Sequence, residues 1–236
     1  MEKIFLFDVD GTLTPARQPM TPAFTRFFAD WAAGKNIYLV SGSDYPKLQE
    51  QVPAALLKSL DGVFGCMGNT LHSNGHQISK RRFVPSSHLI LLLQSRLATS
   101  RFPLRVGKHF EERTGMLNFS IVGRNALPEE RKAYFEYDEI HKERAVIAEQ
   151  INWTFDDVEA AVGGEISIDI YPTGADKSQV LSMLPEAHYV FFGDRMRLGG
   201  NDYALAEALR QSSAPYTLHP VATFEETWEI LQKSYI

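Results

Sequence analysis

A Rossmann-like α/β fold is the class this sequence predicts: a parallel-sheet core interrupted by an inserted α+β domain. Three observations carry that expectation. Apolar runs of strand length, at 4–7, 37–40 and 189–192, alternate with helical stripes, as buried parallel strands and their crossover helices do. Each run ends in small, acidic or hydroxyl residues: Asp8-Val9-Asp10-Gly11, Ser41-Gly42-Ser43-Asp44 and Gly193-Asp194. Open α/β sheets bind ligands at that end of their strands. Beyond Lys80-Arg81-Arg82 the strand–helix rhythm breaks, and strands with helices on one side imply an antiparallel α+β layer. The expected division is 1–81 with 173–236 for the core and 82–172 for the insertion.

Element by element, Ile4–Phe7 is the first buried strand. Thr21-Pro22 reads as an N-cap followed by proline at the first helical position. The helix that follows carries Phe24, Phe27, Phe28 and Trp31 as an i, i+3, i+4, i+7 core stripe. Gly34 stops it, and Ile37–Val40 is the second strand. A helix over 45–51 follows, with Ser43 or Asp44 as its cap. Val63–Cys66 is the third strand, and Asn74-Gly75 marks a hairpin.

In the insertion, Ser86-Ser87 opens a helix over about 88–99. Strand-like segments at 105–113 and 116–122 follow, joined through Thr114-Gly115, and then one long polar helix from Pro128 to at least Ala148. The segment 165–171 alternates strictly: three isoleucines face one way, while Ser167 and Asp169 share the polar face. The core then resumes. Gly174-Ala175-Asp176-Lys177-Ser178 opens a helix, Tyr189–Phe192 is a strand, a helix runs from Asp202 through Leu209, and Thr223-Phe224-Glu225-Glu226 reads as a capping box.

Bulk properties narrow the function classes. With 236 residues, 44% hydrophobic and 22% charged, the chain has a globular composition and room for two modest domains. A net charge of −5 argues against nucleic acid as the main partner. The single cysteine, Cys66, forms no internal disulfide and suits a reducing compartment. Met1-Glu2-Lys3 runs straight into the first strand without a cleavable signal, and no apolar run approaches a membrane span. A cytoplasmic protein without membrane contact is expected.

Chemistry concentrates in Asp8 and Asp10. Two carboxylates this close repel one another unless a proton or cation intervenes, and oxygen ligands favour Mg²⁺. One can attack phosphorus while the other gives and takes a proton. A plain Asx turn accounts for Asp-x-Asp-Gly alone. The longer string Asp8-Val9-Asp10-Gly11-Thr12-Leu13-Thr14 resembles the first motif of the haloacid dehalogenase superfamily of phosphotransferases and phosphatases. Ser41, Lys177, Asp194 and Asp202 follow in that superfamily's order. Together they form a mechanistic set. Asp8 would be the nucleophile and Asp10 the acid/base, while Ser41 and Lys177 would hold phosphoryl oxygens. The Asp8 carboxylate, the Asp10 backbone carbonyl and Asp194 would hold Mg²⁺, with Asn201 and Asp202 behind them.

The insertion carries a second signal. Arg113, Arg124 and Arg131 lie at a strand end, a turn and a helix start, and Arg17 follows the nucleophile loop. Arginine clusters suit phosphate, although spacing alone favours a solvated basic face. The strings Arg113-Thr114-Gly115-Met116-Leu117-Asn118, Gly123-Arg124, Glu129-Glu130-Arg131 and Gly163-Gly164-Glu165-Ile166-Ser167-Ile168-Asp169 resemble the cap domain of the eukaryotic-type phosphomannomutases. The core strings Leu13–Gln18, Ser41–Asp44, Phe192–Asp194 and Gly199–Asp202 match the same family.

That resemblance implies an isomerase moving phosphate between mannose 6-phosphate and mannose 1-phosphate. It also implies Mg²⁺, an aspartyl-phosphate, a hexose 1,6-bisphosphate activator and a homodimer through the cap. Arg17, Arg113, Arg124, Arg131, Ser167 and Asp169 would bind the hexose phosphate. Two stretches depart from the family. Cys66-Met67-Gly68-Asn69 stands where Glu-Asn-Gly is usual, and Leu209-Arg210-Gln211-Ser212-Ser213 stands where Asp-Pro-Arg-Thr contributes to a second ion site. A Mg²⁺-dependent sugar-phosphate phosphatase with the same core residues is therefore the alternative. A non-catalytic sugar-phosphate sensor ranks last, because Asp8 and Asp10 are both present.

Overall fold

In the computed structural model, all residues but Met1, Arg17 and Ile236 are described. The chain forms two compact units, Met1–Lys80 with Gly174–Ile236, and Arg81–Thr173. No helix among the described residues is long and apolar enough to cross a membrane.

The first unit is built on a seven-stranded sheet. Its parallel part contains β1 (Lys3–Phe7), β2 (Asn36–Val40), β3 (Gly62–Gly65), β10 (His188–Gly193) and β11 (Tyr216–Pro220). The strand order is β11-β10-β1-β2-β3, continued antiparallel by β4 (Thr70–Ser73) and β5 (His76–Lys80). Both faces of β1 are buried, which is why its sequence is continuously apolar. Phe5 and Phe7 point into a cluster with Phe24, Phe28 and Trp31 of α1 (Pro22–Ala32), while Ile4 and Leu6 join Phe64, Phe191 and Leu205 on the other side. Phe7 stacks on Phe192 at 4.8 Å and meets Phe28 edge-on at 5.2 Å. Thr21 caps α1, and Asp44, not Ser43, caps α2 (Tyr45–Gln51). Asn74 and Gly75 both take positive φ, the backbone a two-residue hairpin turn between right-twisted strands requires.

The second unit is a four-stranded antiparallel sheet, order β6-β7-β9-β8: β6 (Phe110–Arg113), β7 (Met116–Phe119), β8 (Val158–Gly163) and β9 (Ser167–Pro172). Leu117, Phe119, Ile168 and Ile170 pack with residues of α4 (Ser87–Thr99), α5 (Pro128–His141) and α6 (Glu143–Thr154) in one apolar cluster. The opposite face carries a cross-strand polar row in register: Glu111, Asn118 and Asp169.

Several expectations need correcting. The single long helix from Pro128 is two helices, because Lys142 adopts the left-handed conformation. The break is held by a buried pair in which Arg144 Nε donates to Asp138 Oδ2 at 2.7 Å. The Arg144 backbone N–H donates to Asp138 Oδ1 at 2.8 Å, so Asp138 also satisfies an orphan donor of the second helix. The segments at 105–113 and 116–122 are strand only over Phe110–Arg113 and Met116–Phe119. The helix expected after Gly174 is a 3₁₀ segment, Lys177–Met183, stopped by the Leu184-Pro185 pair. Glu226 accepts from Ala222 N at 2.7 Å, and Thr223 makes no side-chain cap, so the capping box is not formed. Strands β8 and β11 carry no period-2 signal in the sequence: Ala160-Ala161 and the terminal Pro220 are weak strand formers.

Removing one partner of the Asp138–Arg144 pair leaves a buried charge alone. Arg144→Met is expected to lower unfolding stability by about 3–5 kcal/mol. The double variant Asp138→Leu/Arg144→Met should recover most of that loss in denaturant melts. Equal losses in the single and double variants would mean the pair is not what holds the break.

Candidate active site

Asp8 follows the last residue of β1 and is tied to the neighbouring strand by donating its backbone N–H to Phe192 O at 2.9 Å. Lys177 begins the 3₁₀ segment and is fully buried. Its Nζ donates to Asp8 Oδ1 at 2.5 Å and to Asp202 Oδ1 at 2.7 Å. The second Asp202 oxygen accepts from the backbone N–H of Arg195 at 3.0 Å, so both of its oxygens are engaged. Asp202 is therefore built to fix Lys177 and the Asp194–Arg195 turn. Asp194, half-buried, completes an acidic group: one oxygen each from Asp8, Asp194 and Asp202 lie within 4.8 Å of one another.

Two glycines make room for this group. A Cβ on Gly11, which has φ of +80°, would come within 2.6 Å of Asp194 Oδ2. One on Gly193 would approach Asp202 Oδ2 to 2.7 Å. Close approach of backbone to carboxylate is what both positions require.

One buried ammonium cannot neutralise three carboxylates. Burial pushes the Asp8 carboxyl up strongly; Lys177 pulls it back, Asp202 and Asp194 add to the rise, and it comes to about 7. Burial likewise raises Asp194 to about 6, helped by Asp202 and opposed by Lys177 and Arg195. Burial works to lower the Lys177 pKa, but Asp8 and Asp202 outweigh it and hold the group above its ordinary value. A compact, hard-oxygen, negatively overcharged cluster fits a divalent cation such as Mg²⁺. Asp8 and Asp194 are the carboxylates suited to hold it. Asn201 lies beside Asp202 in sequence, and its buried Oδ1 has no hydrogen-bond partner among the described residues.

Asp10 follows two residues after Asp8. Its carboxylate accepts from Gln51 Nε2, at the end of α2, at 2.8 Å. Gln51 carried no signal in the sequence, since a buried helix-terminal glutamine looks like any polar residue. Ser41 is buried; its Oγ accepts from Ser43 N at 3.1 Å, and its carbonyl accepts from Met67 N at 2.9 Å. The Cys66–Gly68 turn, where the sequence departs from Glu-Asn-Gly, is thus anchored on the Ser41 loop. Gln179 Nε2 donates to Met67 O at 2.7 Å and links the same turn to the Lys177 segment. Cys66 and Met67 both adopt positive φ.

A second cluster occupies the polar face of the other unit. Arg113 donates from Nε and Nη2 to Glu111 Oε2 at 2.8 and 2.6 Å, and Arg124 Nε pairs with that same oxygen at 3.2 Å. Arg124 Nη1 donates to Ser167 Oγ at 2.8 Å, and Asn118 Nδ2 donates to Asp169 Oδ1 at 2.5 Å. Arg131 donates to the carbonyls of Ala126 and Arg124 at 3.2 and 3.3 Å. Arg113, Arg124, Arg131 and Ser167 are thus linked in one network, and the Asn118–Asp169 pair lies in register with Glu111 on the same sheet face, while Arg17 lies outside the described residues. Glu111 and Asn118 were not singled out in the sequence. Strand alternation was the available signal for Glu111, since it places that residue beside Arg113.

The fold is that of the haloacid dehalogenase superfamily. A Bacteroides thetaiotaomicron phosphatase of that superfamily superposes with a TM-score of 0.60 at 16% identity, over 98% of this chain and 94% of that one. An Aspergillus fumigatus trehalose-6-phosphate phosphatase superposes with a TM-score of 0.59 at 17% identity, over 99% and 93%. The eukaryotic phosphomannomutase family model matches residues 24–234. A phosphomannomutase of Dendrobium officinale is 37% identical over 88% of this chain and 86% of its own length, and one of Saccharomyces cerevisiae is 34% identical over 86% and 85%. The chain belongs to the eukaryotic phosphomannomutase family.

The raised carboxyls carry a pH signature. Their folded pKa values, about 7 and about 6, lie above the ordinary 3.8. Without metal, the stability they contribute is full below pH 3.8 and is lost as pH rises through about 6 to about 7. Mg²⁺ should therefore raise the melting temperature more at about pH 8 than at about pH 5, because it meets ionised ligands there. A magnesium shift that is the same at both pH values would contradict this account of the cluster.

Proposed function

We propose that this chain is a phosphomannomutase, interconverting mannose 6-phosphate and mannose 1-phosphate through an aspartyl-phosphate on Asp8 and a hexose 1,6-bisphosphate. The observation that carries this reading is the presence of two anion-competent clusters, one on each unit. A monophosphate hydrolase needs one phosphate grip, whereas a phosphohexomutase handles sugars phosphorylated at either end. Relatives named phosphomannomutase, 34–37% identical over most of the chain, support the same reading.

In this reading Asp8 Oδ attacks the phosphorus of the bisphosphate, and the bond from phosphorus to the sugar oxygen breaks. Asp10, steadied by Gln51, gives a proton to the departing sugar oxygen. In the return step a sugar monophosphate phosphorylated at the opposite end presents its free hydroxyl; Asp10 takes that proton as the oxygen attacks the phosphorus on Asp8, and the bond from phosphorus to the Asp8 carboxylate oxygen breaks. Lys177 moves from carboxylate partner to phosphoryl partner as negative charge develops on the transferring group, and Ser41 Oγ donates to the same group. Asp8, Asp194 and the Asp10 backbone carbonyl would hold Mg²⁺, which when bound would supply charge neutralisation for the transferring group. Asp202 keeps Lys177 in place. Arg113, Arg124 and Arg131, with Arg17, hold the phosphate that is not reacting, and Ser167 and Asp169 meet sugar hydroxyls.

The Cys66–Asn69 and Leu209–Ser213 departures favour one second reading, a sugar-phosphate phosphatase that discharges the same phosphorylated Asp8 to water. A single assay separates the two. With mannose 1-phosphate, Mg²⁺ and a trace of glucose 1,6-bisphosphate, mannose 6-phosphate should appear in dependence on the bisphosphate, with little free phosphate. Free phosphate without isomerised sugar would establish the phosphatase instead. Asp8→Asn should abolish either turnover by at least about a thousandfold, and full activity in that variant would overturn the nucleophile assignment.

A further inference from the structure

Glu111 is a carboxylate inside an arginine cluster that the proposed reaction needs for phosphate. Its Oε2 takes both Arg113 nitrogens and faces Arg124 Nε, which is how a phosphate oxygen would be taken. Two functions are open to such a group. It could brace the guanidiniums for substrate, or it could compete with substrate for them, and the two predict opposite effects of its removal.

Magnitudes decide between them. The Glu111 and Arg113 side chains are 39% and 40% exposed, so their pairing is of the surface kind and braces weakly. Arg124 is already oriented through Ser167 Oγ at 2.8 Å, and its main-chain carbonyl is tied by Arg131. A negative charge near 3 Å from both guanidiniums, by contrast, acts directly against an arriving dianion. Burial acts to raise the Glu111 carboxyl, but Arg113 and Arg124 hold it below the ordinary carboxylate range, so it is ionised when substrate arrives.

We propose that Glu111 is a resident counter-ion which an incoming sugar phosphate displaces from Arg113 and Arg124, so that the phosphate grip stays exchangeable. This deepens the mutase reading and rests on it for its purpose. A bisphosphate that reacts alternately at its two ends must release and regain each phosphate site in every cycle. Arginines without a counter-ion would hold it too long, whereas a carboxylate that returns to them lowers the cost of release.

The test is binding, which needs no turnover. Inorganic phosphate and mannose 6-phosphate are titrated calorimetrically into full-length Asp8→Asn protein, with and without Glu111→Gln. Glu111→Gln should tighten both by roughly three- to tenfold, with a gain that shrinks as salt is raised. Adding Arg124→Gln should remove the gain. Glu111→Asp, whose shorter side chain withdraws from the arginines, should give a smaller gain and serves as the second variant if Glu111→Gln melts early. In the Asp8 enzyme, Glu111→Gln should lower KM and kcat together. Unchanged or weaker phosphate binding would overturn the counter-ion role and indicate bracing. If phosphate binding tightens but the enzyme makes no mannose 6-phosphate, the counter-ion stands and the mutase reading falls.

Discussion

The contact on which the core depends is the buried ammonium of Lys177 between Asp8 and Asp202. Lys177 is fully buried, and a lysine in that position is tolerable only with its donors matched by charged acceptors. The pair in turn draws together three separate stretches of chain: the end of β1, the start of the 3₁₀ segment and the loop before α7 (Tyr203–Gln211). Because Asp202 also takes the Arg195 N–H, the Asp194 turn is set by the same interaction. The site's geometry is thus a consequence of electrostatics, while the aromatic packing beneath it keeps the strand ends in fixed register.

Charge imbalance is the second theme, and it takes opposite signs in the two units. Around Asp8 the carboxylates outnumber the buried cation, and the excess appears as carboxyls raised to about 7 and about 6. Such frustration suits a divalent ion when one is bound and a phosphoryl group held beside it. Around Arg124 the guanidiniums are in excess, and Glu111 offsets only part of that charge. The two units thus differ in the sign of their excess charge, carboxylates in one and guanidiniums in the other.

Much of the core site was legible in the chain itself because its residues sit at the ends of strands that announce themselves. A fully buried parallel strand must be apolar throughout, so its end is marked wherever the apolar run gives way to Asp, Ser or Gly. Asp8, Ser41 and Asp194 were found in that way. Gln51 was not, since its contact with Asp10 joins residues 41 positions apart and leaves no local pattern. The arginines of the second unit were visible as residues but not as a cluster. Only the β6–β7–β9 register, which aligns Glu111, Asn118 and Asp169, turns scattered charges into one surface.

What the sequence by itself determined is the class of fold, the Asp8–Thr14 motif and the family, because these rest on local periodicity and short ordered strings. The tertiary structure decided the rest. It split the long polar helix at Lys142, where a buried Asp138–Arg144 pair overrides helical propensity. It wound the Lys177 segment as 3₁₀ and buried its ammonium, and it brought Gln51 to Asp10. It also placed Glu111 between two arginines. These outcomes come from long-range pairing of charges in a low-dielectric setting, where the energy of a group depends on partners remote in the chain.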